Sequence, residues 1–220
     1  TDTGTDTNTG TNTDTDITNT AGGTVVVTGK TVGLLNATVT TSGEAGGGQI
    51  RIGGEAPASA ETAPIAGATS GGLPTATVTY VDAASRLIAD AVFLGNGGEI
   101  TVWANDTTRF YGSASARGGS EGGNGGVVET SGQRFFDLAG ARVDTTAPSG
   151  DTGLWILDPS SITLVGGSSG GSSGTTTAPN FTTAAAGLSS QLRDTDLAQA
   201  LATNTVIVTT SGGGDNEGDI

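Results

Sequence analysis

The chain contains no cysteine, no methionine and no histidine. The lack of cysteine rules out disulfide staples and leaves the compartment open, since exported bacterial proteins also avoid the residue. The lack of methionine points to a mature or processed form. Basic residues are scarce, 8 against 22 acidic ones, for a formal net charge of −14. Nucleic-acid binding needs a basic footprint, so that class is excluded. Aromatics make up only 4% of the chain. No apolar run approaches the roughly 20 residues of a membrane helix, and no signal peptide is recognisable.

What the chain has is glycine, 39 residues of 220, together with abundant threonine. Ordinary glycine usage is about 7%. The apolar residues fall in short alternating runs, VVV, QIRI, EITVW and LWIL, which reads as strands separated by glycine turns. Four segments align: GGGQIRIGG from Gly46, GNGGEITVWA from Gly95, NGGVVETSG from Asn124 and DTGLWILD from Asp151. Their glycines Gly98, Gly126 and Gly153 stand 28 and 27 residues apart. EGDI (Glu217 to Ile220) begins the same motif. A repeat of this length with about three short strands predicts an all-β chain folded as a right-handed parallel β-helix, a solenoid whose stacked coils share one narrow core of Val, Ile, Leu and Ala.

The expected organisation is a Thr-rich extended tail over 1–20, a solenoid body over 21–165 with a surface loop at 55–74, a Gly/Ser/Thr-rich linker over 166–187, and a short helix with an incomplete terminal coil over 188–220. Leu188, Leu192, Leu197 and Leu201 fall near one helical face, with Ser189 or Ser190 as N-cap. That helix is expected to lie along the solenoid, because its leucines need apolar cover.

The run from Gly95 to Leu164 carries GG-x-ITVWA, TRFYGSASARGG, GG-VVE-TSG and a segment ending in LWILDP. These blocks, in this order, resemble the filamentous-haemagglutinin-like exoproteins of Gram-negative bacteria and cyanobacteria, over about a third of the chain. LAQALATNTVIVTTSGGG resembles the segment that succeeds those blocks in the family. The resemblance implies a secreted β-helix at the cell surface or in the extracellular matrix, exported through a dedicated outer-membrane β-barrel. The asparagine-proline motifs of the family's secretion domain do not occur in this sequence.

Candidate sites are few. Trp103, Phe110, Tyr111, Phe135, Phe136 and Trp155 suit either a sugar-binding platform or, the preferred reading, packing in the solenoid. Asp137, Asp144, Asp151 and Asp158 are candidate acid–base carboxylates, or turn caps, and an enzyme is not expected. Asp14, Asp16, Asp215 and Asp219 offer oxygen ligands for weak calcium binding, without the spacing of a known calcium loop. No other cofactor is expected.

In the tail, Thr1, Thr3, Thr5, Thr7, Thr9, Thr11, Thr13 and Thr15 occupy every odd position, followed by Ile17. A strand of this pattern would show threonine on one face and small or acidic residues on the other. It resembles the threonine faces of β-solenoid ice-binding proteins, which need several such strands, and it suits O-glycosylation. The expectation is that the tail adds as a strand to a neighbouring copy, while the terminal coil near Gly218 and Ile220 meets the first coil near Gly22. Such contacts give a head-to-tail homopolymer. Surface glycans are the alternative partner, for a monomeric adhesin.

Overall fold

The structure, a computed structural model, describes residues 20–54, 74–166 and 181–210. The chain winds as a parallel β-helix. The first coil holds β1 (Thr24–Val27), β2 (Thr31–Leu34) and β3 (Thr38–Thr40). The second holds β4 (Gln49–Ile52), β5 (Val78–Val81) and β6 (Arg86–Ile88). The third holds β7 (Glu99–Ala104), β8 (Thr107–Phe110) and β9 (Ser113–Ser115), and the fourth β10 (Val127–Gly132), β11 (Phe135–Asp137) and β12 (Arg142–Asp144). The fifth begins with β13 (Leu154–Leu157) and continues through β14 (Ile162–Val165), β15 (Ser190–Arg193) and the helix α1 (Asp194–Ala200). β16 (Thr205–Val208) then opens a sixth.

Strands from successive coils stack into three parallel sheets. Sheet A runs β1-β4-β7-β10-β13-β16, sheet B β2-β5-β8-β11 and sheet C β3-β6-β9-β12. The glycine repeat reports the register of sheet A: Gln49 pairs Glu99, Glu99 pairs Val127 and Val127 pairs Leu154. One face of each strand fills the core. In sheet A, Ile50, Ile100, Val128 and Trp155 lie in register and belong to a single buried cluster, which Leu87, Phe110, Ala114 and Phe136 from the other sheets complete. Two inward threonines are satisfied by the same ladder logic: Thr79 and Thr108 donate through Oγ1 to the carbonyls of Trp103 and Ser131, each at 2.7 Å.

The regular order breaks in the fifth coil. β14 pairs in parallel with β15, and β15 packs on β11. Backbone N–H of Phe136 donates to Ser190 Oγ at 3.0 Å. The later strand therefore sits between β11 and β14. This corrects the expected helix over 188–202. Residues 190–193 are strand, because the open edge of β14 offers hydrogen bonds and Leu192 reaches the core. Helix α1 starts at Asp194 with Arg193 at the N-cap position and no side-chain cap, so neither Ser189 nor Ser190 caps it. Leu197 packs on the core, while Leu201, beyond the helix, is exposed. The helix contacts β12, β15 and β16, standing in the solenoid wall where sheet C would otherwise continue.

The linker expectation also changes. Residues 181–189 cross the outer face of sheet B as a strap. Phe181 meets the Tyr80 ring edge-on at 5.6 Å between centroids. It lies over Gly33, where a Cβ would come within 2.3 Å of the ring. Arg109 Nη1 donates to Thr182 O at 2.7 Å, Arg134 Nη2 to Ala184 O at 2.6 Å, and Ala184 N to Thr107 Oγ1 at 2.8 Å.

Candidate functional sites on the solenoid walls and ends

Sheet A ends in two strands of nearly identical sequence, TVVV in β1 and TVIV in β16. Each pairs on one side only among the described residues. The register carries one inward column from Val25 through Ile50, Ile100, Val128 and Trp155 to Val206. An outward column runs from Val26 through Arg51, Thr101, Glu129 and Ile156 to Ile207.

That outward column contains an ionic cluster. Arg51 and Glu129 are only 3% and 2% exposed although they point away from the core. Arg51 Nη2 lies 2.8 Å from Glu99 Oε1. Glu129 Oε2 is buried with no hydrogen-bond partner among the described residues. Burial raises the Glu129 pKa to about 7, with the negative charges of Asp158 and Glu99 adding to the rise. Alternation alone would send Glu129 to solvent, so its burial has no signal in the sequence.

Sheet C carries a groove of about 580 Å³ on its outer face, running across the strands from β6 to the end of α1. Arg86, Ser113 and Arg142 share one column of its floor, and Ile88, Ser115 and Asp144 the next. Most charges here are already matched. Arg117 forks onto Asp90 through Nε and Nη2 at 3.1 and 2.8 Å, and Ser115 Oγ donates to the same carboxylate at 2.5 Å. Asp144 accepts from Thr146 N and Oγ1, and Asp196 accepts from Arg193 Nε. Arg142 Nη1 donates to the carbonyls of Gly140 and Ala141, at 2.9 and 3.0 Å.

The sequence candidates scatter. Phe110, Phe136 and Trp155 are core residues. Trp103 and Phe135 are also buried, at 1% and 2% exposure, and the half-buried Tyr111 donates to Asp137 Oδ2 at 2.8 Å. These six form no exposed aromatic platform. Asp137 is held on sheet B, where burial raises its pKa. Asp144 lines the sheet C groove. Asp158 accepts from Thr209 Oγ1, and Asp151 is exposed at a corner between coils. The four carboxylates are not brought together by one cleft. Thr1, Thr3, Thr5, Thr7, Thr9, Thr11, Thr13, Thr15, Ile17, Asp14, Asp16, Asp215, Gly218, Asp219 and Ile220 lie outside the described residues.

No protein-family model matches the chain, and no curated protein shows significant similarity to it.

Proposed function

We propose that this chain is an extracellular structural protein whose copies stack head to tail into a surface or matrix filament. The observation that carries the reading is the match between the two ends of sheet A. If β16 of one copy pairs in parallel with β1 of the next, Thr205 meets Thr24, Val206 meets Val25, Ile207 meets Val26 and Val208 meets Val27. The apolar core column then continues across the junction without a register shift. Main-chain hydrogen bonds supply the affinity of such an addition, and the alternation of side chains fixes the register. A heterologous contact of this kind does not close on itself and propagates as a fibre. The extracellular setting rests on the family resemblance.

The test uses charge at the junction. Val26 and Ile207 face each other across the proposed contact and are both half-buried at the ends of the solenoid. Wild-type protein is expected to form filaments in negative-stain electron microscopy and to sediment as a concentration-dependent series. The V26K/I207K variant sets like charges opposite one another and is expected to remain a single particle. The V26K/I207E variant sets opposite charges there and is expected to recover filaments. Wild-type protein that stays monomeric at every concentration sinks the reading. Equal assembly by all three variants moves the contact elsewhere. A version without Thr1 to Thr20 separates the tail from the edges, since edge pairing alone survives that deletion.

A further inference from the structure

We propose that the sheet C groove is a binding site for a carboxylate-bearing polysaccharide, a uronate-type strand lying along the solenoid axis. The charge left free in the groove sets the sign of its ligand. Two of the groove's acids are matched by cations, Asp90 by Arg117 and Asp196 by Arg193, while Asp144 is held only by the neutral Thr146. The Arg86 side chain is exposed and its guanidinium has no hydrogen-bond partner among the described residues, and the Arg142 side chain spends only Nη1 on backbone carbonyls. Arg86 and Arg142 outnumber the one acid without a cationic partner, Asp144, so the balance left in the groove is positive, on a chain whose net charge is −14. Three of its 8 basic residues, Arg86, Arg117 and Arg142, line this one groove.

Spacing sets the kind of ligand. Arg86, Ser113 and Arg142 occupy consecutive coils of one column. Neighbouring strands lie about 4.8 Å apart, so the two guanidinium stems stand roughly 10 Å apart with the small Ser113 between them. That separation suits carboxylates on alternate sugars of an extended strand, each held by a planar fork of donors. Ser113 offers its hydroxyl and Gln199 its amide to sugar hydroxyls, and α1 forms the end wall.

A peptide fits less well. The backbone groups of the floor are committed to the β3-β6-β9-β12 ladder, and the groove crosses those strands instead of tracking an edge. An extended peptide would find no free edge to add to. The groove also has no exposed aromatic ring to stack a neutral sugar, since Trp155 is buried and donates to Thr130 Oγ1 at 2.8 Å. Recognition falls to charge and hydrogen bonds, and is therefore sensitive to salt.

The experiment is isothermal titration calorimetry with a hexamer of galacturonate, run on the full chain and on V26K/I207K. A neutral glucan hexamer and hexaglutamate serve as comparison probes. Binding of the uronate hexamer is expected in both proteins, weakening as salt is raised. R86Q and R142Q are each expected to weaken it about tenfold, and the double variant to remove it. Both arginines are exposed, so the variants should keep the wild-type melting temperature. The proposal fails if wild-type protein does not bind the uronate hexamer, if R86Q/R142Q binds as well as wild type, or if the neutral hexamer or hexaglutamate binds as tightly. Because V26K/I207K is tested alongside, loss of assembly and loss of ligand binding are read separately.

Discussion

Replacing Glu129 by glutamine is expected to raise the stability of the solenoid at pH 8 by about 3 kcal/mol and to leave it nearly unchanged at pH 4. The carboxyl sits on the outward face of β10, is 2% exposed, and has one oxygen without a hydrogen-bond partner among the described residues. Burial first, then the charges of Asp158 and Glu99, raises its pKa from 4.5 to about 7. The folded state therefore holds a proton that the unfolded chain releases above about pH 4.5. Stability contributed by this group is fully present below the unfolded pKa. It falls as pH rises from about 4.5 through 7 and stays low above that.

Glutamine matches the shape of the protonated acid and cannot ionise. The variant should therefore lose that slope, while wild type keeps it. Asp137 has a raised pKa for the same reason and contributes a slope of the same sign in both proteins, so the difference between them isolates Glu129. Asp106 acts in the opposite direction. Its hydrogen bond from Arg134 lowers its pKa, so its contribution is lost only as the medium turns acid. Urea midpoints measured from pH 4 to pH 8 decide the matter. Parallel curves for wild type and E129Q would show that the carboxylate is solvated or matched in solution.

The contrast between Glu129 and the glycines shows what the sequence can and cannot reveal. Gly98, Gly126 and Gly153 recur with the coil, so the register of β7, β10 and β13 is readable from their spacing alone. The same period also runs through Arg86, Ser113 and Arg142, at 27 and 29 residues. It marks the groove column for a reader who already knows that sheet C stacks in phase with sheet A. Without that knowledge RLIAD, SASAR and RVDT share too little to align.

Other features depend on contacts between distant segments. Phe181 is the one large apolar residue in a stretch of small ones, and its receptor is Gly33, a missing side chain in a strand of the first coil. A gap and the ring that fills it leave no common pattern. The leucine spacing at 188–201 is helical in period, yet β14 offers an open edge, and tertiary pairing outweighs local preference. The burial of Glu129 on the outward face of sheet A is not encoded by alternation along one strand.

The largest loss is expected from a single methyl group at Gly126: G126A should cost about 3 kcal/mol. A Cβ there would stand 2.0 Å from the carbonyl oxygen of Gly98 in the coil below and 2.6 Å from the carbonyl carbon of Gly97. Both obstacles are backbone, so no side-chain rotation relieves them. The corner itself is pinned by hydrogen bonds from Gly126 N to Ala116 O at 2.7 Å and from Val127 N to Gly98 O at 3.0 Å. A Cβ on Gly98 would stand 2.0 Å from Gly48 O and one on Gly153 2.1 Å from Gly126 O, so the demand repeats once per coil. Asn204 takes the equivalent place before β16. The corner there is built differently, since α1 and not a strand of sheet C precedes it, and the Asn204 side chain hydrogen-bonds with Val143 O, Ala200 O and Thr145 Oγ1.

Gly23 is the position that separates folding from assembly. It precedes β1 in the same register, yet nothing lies within 4 Å of a Cβ built there. G23A should therefore match or slightly exceed wild-type stability, because alanine reduces the freedom of the unfolded chain. In a head-to-tail stack the backbone at Asn204 of the preceding copy would come beneath it, and the added methyl would meet the collision that G126A meets within one chain. The expected result is a G23A protein with a wild-type melting temperature that no longer forms filaments. A G126A protein as stable as wild type would show that coil stacking does not impose the glycine column. If wild-type protein forms filaments and G23A forms them equally well, the junction does not place β16 beside β1.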